Sequence, residues 1–114
     1  MDTPIADFVR RYADAGMVRA HMPGHKGKTF LGCEALDITE IQGADSLYEA
    51  EGIIRRSESY AGELFGSGRT VYSTEGSSQC IRAMLYLALT CGNGSRTVVA
   101  ARNVHRAFVY AAAL

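Results

Sequence analysis

Hydrophobic residues recur at helical spacing in three stretches of the chain. The first begins at Thr3-Pro4, a Thr N-cap followed by Pro at the first helical position, and is expected to stop at Gly16. The second extends from Tyr48 to Phe65. The third is expected to be capped by Ser77 or Ser78, and its apolar stripe consists of Ile81, Met84, Leu85, Ala88 and Leu89.

Two short runs of apolar and β-branched residues predict strands on either side of the third helix. Thr70 to Ser73 precedes that helix, and Thr97 to Ala101 follows it with the composition of a strand buried on both faces. Asn103 is then expected to cap a last helix. The order helix, strand, helix, strand, helix indicates an α/β fold. Because two strands make an incomplete sheet, we expect the front part of a larger α/β domain.

The part of the chain before residue 48 has a different pattern. Residues 21–32 are rich in Gly and contain Pro23, which predicts a loop with a tight turn at Pro23-Gly24. Residues 33–48 have weak periodicity and are expected to be mostly irregular. We therefore divide the chain into an N-terminal helix and glycine-rich loop segment, residues 1–47, and the beginning of the larger domain, residues 48–114.

Composition excludes several classes of function. The 114 residues carry 12 basic and 12 acidic side chains, so we expect no nucleic-acid partner and no attraction to an anionic membrane. Cys33, Cys80 and Cys91 are odd in number and lack Cys-x-x-Cys spacing, which favours reduced thiols in the cytoplasm. No apolar stretch is long enough to span a bilayer.

The stretch from Thr70 to Ser78 carries the first candidate site. A strand, a glycine turn at Gly76 and a helix start direct backbone N–H groups and the hydroxyls of Ser77 and Ser78 at one point, which suits a phosphate. The alternative is an ordinary Ser cap after a glycine turn. A Walker loop is excluded because the Gly-Lys-Ser/Thr ending is absent. Glu75 would place a negative charge beside a bound phosphate unless it points away.

His105 is the second candidate, because ligands bind outside the carboxyl ends of strands in open α/β sheets. A histidine there could stack on an aromatic cofactor or transfer protons, and the alternative is an exposed or capping histidine. His21, His25 and Cys33 are of the residue types that bind zinc, but Pro-Gly between the histidines prevents a helical i, i+4 pair, and we expect no metal site. This loop then either approaches a substrate or another backbone, or is a flexible surface loop.

Seven strings of residues, in order, resemble the N-terminal part of the bacterial Orn/Lys/Arg decarboxylases, over roughly residues 5–114. That family consists of pyridoxal-phosphate enzymes with the aspartate-aminotransferase fold. The resemblance therefore implies the N-terminal portion of a fold type I large domain, with an incomplete sheet and pyridoxal 5'-phosphate as the cofactor. The strings are His21–Gly27, Asp37–Glu40, Gly43–Asp45, Glu51–Ile54, Glu63–Gly66, Ser73–Ser78 and Arg102–His105.

The resemblance also implies roles for individual residues. Gly76, Ser77 and Ser78 correspond to the turn that binds the cofactor phosphate, and His105 to the histidine that stacks on the pyridine ring. The His21–Gly27 loop resembles a segment near an active site formed between two subunits, which implies a homo-oligomer. The chain departs from the family at Glu75, where a small or amide residue is usual, and at Arg106-Ala107, which replaces Lys-Ser.

The sequence has no Lys after Lys28 and no Asp after Asp45. In the family, the Schiff-base lysine and the acid that keeps the pyridine nitrogen protonated both follow the stacking histidine. We therefore expect a fragment of a decarboxylase that converts a basic amino acid (lysine, ornithine or arginine) to an amine and CO₂, inactive by itself and without catalytic residues of its own. The alternative is a stand-alone, non-catalytic binding or oligomerisation module derived from that family.

Overall fold

The computed structural model describes residues 2–92, 94 and 97–113, and the regular elements within these residues are helices. They are α1 at Pro4–Asp14, a short 3-10 helix at Glu34–Leu36, α2 at Ile53–Phe65, α3 at Gly76–Thr90 and α4 at Arg106–Ala112. The chain divides into two compact units, the first ending at Tyr72 and the second beginning at Ser73. The domain boundary predicted between residues 47 and 48 stays a prediction.

In the first unit, α1 begins and ends as the sequence predicts. Pro4 is its first residue, and both the N–H and the hydroxyl of Thr3 donate to the Asp7 carboxylate, at 3.0 and 2.9 Å. Gly16, with a φ of +60°, follows the helix end. Helix α1 packs against α2 and against the 3-10 helix, and Tyr12 is buried on its inner face.

Helix α2 begins at Ile53, later than the expected Tyr48. The carboxylate of Asp45 accepts hydrogen bonds from the N–H groups of Gly52 and Ile54, at 2.8 and 3.0 Å, so it determines where the helix starts. The helix ends at Gly66, whose φ of +62° is the left-handed conformation that glycine adopts readily. This end confirms the sequence prediction.

In the second unit, α3 and α4 pack against each other, with Leu85 and Ala107 buried. Both helix starts differ from the prediction. Glu75 is the N-cap residue of α3, so the prediction that Ser77 or Ser78 caps it is wrong, because both lie within its first turn. His105, and not Asn103, caps α4, because its imidazole accepts the N–H of Ala107.

The two predicted strands do not form within the described residues, and the α/β sheet is therefore not confirmed. Thr70 to Ser73 and Thr97 to Ala101 have no regular structure. A strand requires a neighbouring strand that pairs with its N–H and C=O groups, and no residue in the described ranges is in a strand. In the first segment, the N–H of Tyr72 instead donates to the carboxylate of Glu58 at 2.9 Å.

Across the part of the chain that is described, no helix combines the length and the apolar composition that crossing a membrane requires.

Candidate functional site

The first turn of α3 presents three N–H groups that the helix itself cannot satisfy, those of Gly76, Ser77 and Ser78. None of these N–H groups donates to another residue in the described ranges, and neither do the hydroxyls of Ser77 and Ser78. Ser77 is exposed and Ser78 is half-buried. The residues that the sequence predicts as a phosphate site are therefore accessible and have unused hydrogen-bond donors.

Ser73 orders the turn that precedes α3. Its hydroxyl accepts the N–H of Glu75 at 3.2 Å and donates to the side-chain oxygen of Gln79. This role of Ser73 was not predicted from the sequence, although a Ser two residues before the N–H that it binds is a known turn pattern. Because Ser73 stabilises the turn, the hydroxyls of Ser77 and Ser78 are not needed for it.

Gly76 has a φ of +71°, a conformation that residues with a Cβ rarely adopt. A Cβ added to Gly76 would meet no atom within 4 Å. The backbone conformation therefore requires glycine, while the space in front of the turn is open. The Glu75 carboxylate is exposed beside this turn.

These observations test whether the residues fit the phosphate of pyridoxal 5'-phosphate. Three unused N–H groups at a helix start, two unused hydroxyls and open space in front of a glycine are the features that a phosphate oxygen cluster requires. The helix dipole adds favourable potential for a negative charge. The residues fit the phosphate end of the cofactor.

His105 is exposed and acts as the N-cap of α4. Its Nδ1 accepts the N–H of Ala107 at 3.2 Å. The capping role that the sequence left open as an alternative is thus present. Among the described residues, no hydrogen bond or ring contact joins His105 to Gly76, Ser77 or Ser78.

The histidines of the glycine-rich loop are held by hydrogen bonds within the first unit. His21 Nε2 lies 2.8 Å from the hydroxyl of Tyr12, and His25 Nε2 lies 3.1 Å from Asp37 Oδ2. In the described ranges no group of three metal-binding side chains is present. The geometry of this loop is that of a hydrogen-bonded loop.

Arg19, which the sequence analysis missed, connects this loop to α1. Its guanidinium donates to the carbonyls of Glu34 at 3.3 Å and Ala35 at 2.6 Å, and it lies 5.0 Å from the centre of the Tyr12 ring. A Cβ on Gly27 would lie 2.8 Å from Arg19 Cζ. The guanidinium would have to shift to make room for this Cβ, so Gly27 allows the arginine to lie this close.

Two carboxylates of the first unit are bound by backbone N–H groups. Hydrogen bonds from the N–H of Leu31, with those from Phe30 and Gly32, lower the pKa of Glu34 to about 2. Burial by itself would raise the pKa of Asp45, but backbone N–H groups outweigh it and lower that pKa to about 2; they are those of Glu51, Ser46, Gly52 and Ile54. Both carboxylates are therefore ionised, and their oxygens are already bound by N–H groups of the chain itself.

A family model and individual relatives among known proteins indicate the same family for this chain. A model of the major domain of Orn/Lys/Arg decarboxylases matches residues 3–114. An arginine decarboxylase of Bacillus subtilis (strain 168) is 32% identical over 120 residues, which cover 96% of this chain and 24% of that protein. An arginine decarboxylase of Halalkalibacterium halodurans is 33% identical over 119 residues, with 96% and 24% covered. The chain thus spans about a quarter of the length of these curated relatives. No solved structure matches the chain.

Proposed function

Because this chain belongs to the Orn/Lys/Arg decarboxylase family, we propose that it supplies the cofactor-phosphate turn of a pyridoxal-phosphate-dependent amino-acid decarboxylase. The observation that carries the proposal is the unused set of donors at the start of α3, formed by the N–H groups of Gly76, Ser77 and Ser78 and by two hydroxyls. The family match includes these residues within its range, and the local geometry leaves their donors unused, which supports the proposal.

In this proposal, the Gly76–Ser78 turn binds the phosphate of the cofactor, and the imidazole of His105 stacks on its pyridine ring. Hydrogen bonds to a charged group contribute about 1.5–3 kcal/mol each, net of the bonds to water that they replace, and the helix dipole adds about 0.3–1 kcal/mol. When bound, pyridoxal 5'-phosphate withdraws electrons from the α-carbon of an amino acid. The chain's own residues hold and orient the cofactor.

We assign to this chain neither the Schiff-base lysine nor the acid that protonates the pyridine nitrogen, because no Lys follows Lys28 and no Asp follows Asp45. Its only lysines, Lys26 and Lys28, lie in the glycine-rich loop. The ammonium of Lys26 donates to the carbonyl of His21 at 2.5 Å. We therefore propose that the chain is part of a longer decarboxylase, that it does not release CO₂ by itself, and that the lysine and the acid come from the rest of that enzyme.

For the complete enzyme we propose L-arginine as the substrate, since the named relatives are arginine decarboxylases. Lysine and ornithine are the other substrates of the family. We also propose a homo-oligomer in the cytoplasm, in keeping with the resemblance of the His21–Gly27 loop to a segment beside a subunit interface.

The test is made on the complete decarboxylase that contains this segment. CO₂ release from L-arginine, L-lysine and L-ornithine is measured with and without added pyridoxal 5'-phosphate. We expect activity with at least one of these amino acids, and an increase of about tenfold or more in the Kd for the cofactor when Ser77 and Ser78 are both replaced by Ala. Ser59→Ala is the matched control, because its hydroxyl donates to the Arg55 carbonyl within α2.

Two results would contradict the proposal. One is a complete enzyme that binds no cofactor and releases no CO₂ from any of the three amino acids. The other is a double Ala variant whose cofactor affinity equals that of Ser59→Ala.

A second candidate function, a non-catalytic binding or oligomerisation module, has one observation in its favour. Large apolar side chains are almost fully exposed: Val18 is 95%, Phe30 90% and Tyr48 100% exposed. The formal net charge is zero, so copies of the chain do not repel each other. This candidate predicts concentration-dependent association of the chain in light scattering, and a monomer at high concentration would contradict it.

A further inference from the structure

The three histidines of the chain differ in which ring nitrogen the backbone uses. In a neutral imidazole one nitrogen donates and the other accepts, so the partner of one nitrogen determines where the proton lies. The hydrogen bonds of His21, His25 and His105 therefore assign a tautomer to each ring.

The contacts of His21 assign its proton to Nδ1. That nitrogen contacts the carbonyl oxygen of Met22, which can only accept a hydrogen bond. Its Nε2 is then free of a proton and accepts from the Tyr12 hydroxyl at 2.8 Å. Both ring nitrogens of His21 are occupied by the chain.

His25 has the opposite arrangement. Its Nδ1 accepts the N–H of Gly27 at 3.0 Å, so the proton lies on Nε2, which donates to Asp37 Oδ2 at 3.1 Å. Both nitrogens of this ring are also occupied.

His105 repeats the bond of His25 to the residue two positions ahead, with Nδ1 accepting the N–H of Ala107 at 3.2 Å. The proton therefore lies on Nε2 here as well. Unlike its counterpart in His25, this Nε2–H has no partner among the described residues, and the side chain is exposed. Among the described residues, His105 is thus the histidine whose ring has an unpartnered N–H donor, whereas both ring nitrogens of His21 and of His25 have partners.

We propose that the cap of α4 locks neutral His105 with its proton on Nε2, and that this N–H is a positioning donor for an anionic oxygen of the bound cofactor or amino acid. The second part rests on the proposed function; the first does not. The ring then has two uses at once, because Nδ1 holds the helix while Nε2–H and the ring face are open to a ligand.

The tautomers are measured by ¹⁵N NMR of the histidine rings in the chain at alkaline pH, where free imidazole is neutral. We expect the proton on Nε2 for His105 and His25 and on Nδ1 for His21, so His21 serves as an internal control of opposite sign. A proton on Nδ1 of His105 would contradict a tautomer fixed by the cap of α4, and so would a mixture of the two tautomers matching that of free histidine.

Two substitutions separate the cap from the ring. His105→Asn keeps a side-chain acceptor for the Ala107 N–H, whereas His105→Phe keeps an aromatic ring and loses the acceptor. We expect hydrogen exchange of the Ala107 amide to become about fivefold faster in His105→Phe and to change by less than twofold in His105→Asn. His25→Phe removes the equivalent hydrogen bond from the Gly27 N–H, and it should leave hydrogen exchange of the Ala107 amide unchanged. Equal acceleration in His105→Asn and His105→Phe would overturn the capping role.

The ligand part is tested by adding pyridoxal 5'-phosphate to the chain, then L-arginine in a separate sample, then both. A shift of the His105 Nε2–H resonance with either ligand supports the proposal and shows which ligand supplies the oxygen. Binding of the cofactor to the Gly76–Ser78 amides without any shift at His105 would overturn it and leave the proposed function standing. Absence of cofactor binding, with the tautomers as expected, would remove the ligand role and the proposed phosphate turn but not the lock.

Discussion

The loops of the first compact unit and the start of α3 in the second unit use their polar groups in opposite ways. In the first unit, carboxylates and a guanidinium are bound to backbone groups: Glu34, Asp45 and Glu58 accept N–H groups, and Arg19 donates to carbonyls. In the second unit, the first-turn N–H groups of α3 and the hydroxyls of Ser77 and Ser78 have no partner within the described residues.

This difference distinguishes polar groups that stabilise the fold from polar groups that are available to bind a ligand. A buried or half-buried polar group that already has its partners stabilises a loop and has little left for a ligand. Donors that are ordered but unused are available for binding without rearrangement. The second unit is therefore where we place the ligand, and the first unit is where we place the stability of the loops.

Acid should have the largest effect, and it should act on the first unit. The pKa of Glu34 is lowered from an ordinary 4.5, and that of Asp45 from 3.8, each to about 2. A lowered pKa means that the stabilisation is complete above the ordinary values and is lost as the pH falls from about 4 through about 2. Amide NMR signals of the two loops should broaden together over that range.

Glu34→Gln and Asp45→Asn sharpen this prediction, because each removes one titrating group. The remaining acid transition should then belong to the other loop alone. An acid transition that is the same in both variants and in the unchanged chain would contradict the assignment.

Removal of the buried carboxylate of α2 should be the next largest effect. Glu58 is only 3% exposed, and Glu58→Ala leaves the N–H of Tyr72 without its partner. An unsatisfied N–H together with lost packing is expected to lower the free energy of unfolding by about 3 kcal/mol, as measured in urea.

Two variants of the same helix serve as controls for this prediction. Glu58→Gln keeps an oxygen that accepts the Tyr72 N–H and should cost about 1 kcal/mol or less. Glu63→Ala, at an exposed position, should change the free energy by less than about 0.5 kcal/mol. Equal losses in all three variants would contradict the role given to the Glu58–Tyr72 bond.

Replacing one left-handed glycine in each unit by Ala should give unequal losses. Gly27 and Gly76 have φ values of +76° and +71°, so both variants carry a backbone penalty of about 1 kcal/mol. Only at Gly27 does the new Cβ also meet the Arg19 guanidinium, at 2.8 Å, while Gly76 has open space. We expect losses of about 2 kcal/mol for Gly27→Ala and about 1 kcal/mol for Gly76→Ala in thermal unfolding. A larger loss at Gly76 would reverse the comparison between a closed and an open turn.

The smallest effect on stability should come from the serines at the start of α3. Ser73→Ala removes the acceptor of the Glu75 N–H and the donor to Gln79, and should lower the free energy of unfolding by about 1 kcal/mol. Ser78→Ala removes a hydroxyl that has no partner in the described residues, and should change the free energy of unfolding by less than about 0.5 kcal/mol. Calorimetric titration with inorganic phosphate should show weaker binding for Ser78→Ala. Unchanged phosphate affinity in that variant would remove its hydroxyl from the site.

Local signals made the helices predictable from the sequence. The Thr3-Pro4 start of α1 and the glycine after α2 act within one turn of the element that they limit, and both were predicted correctly. The start of α2 was missed because it depends on Asp45, which lies outside the helix and binds its first N–H groups across a loop. Two strands were predicted that do not form among the described residues, because a strand depends on a partner segment that local composition does not supply, and the Tyr72 N–H donates to a side chain instead.

The choice of Gly76, Ser77, Ser78 and His105 as a cofactor site stays a prediction, and the sequence contained only part of the local structure around them. The turn residues were chosen because a glycine turn before a helix has a recognisable composition, and His105 was chosen because it follows a predicted strand, which does not form among the described residues. That Ser73 stabilises the turn, and that His105 uses Nδ1 to cap α4, depends on side-chain orientation, which a pattern of residue types does not contain.

The central claim, that the start of α3 binds the cofactor phosphate, is tested most directly by amide NMR of this chain during titration with pyridoxal 5'-phosphate. We predict saturable shifts of the Gly76, Ser77 and Ser78 N–H signals, a smaller response to inorganic phosphate at the same amides, and no shift at Gly52 or Ile54, whose N–H groups are already bound by Asp45. Unchanged Gly76–Ser78 signals up to millimolar ligand, or equal shifts at Gly52 and Ile54, would contradict the claim.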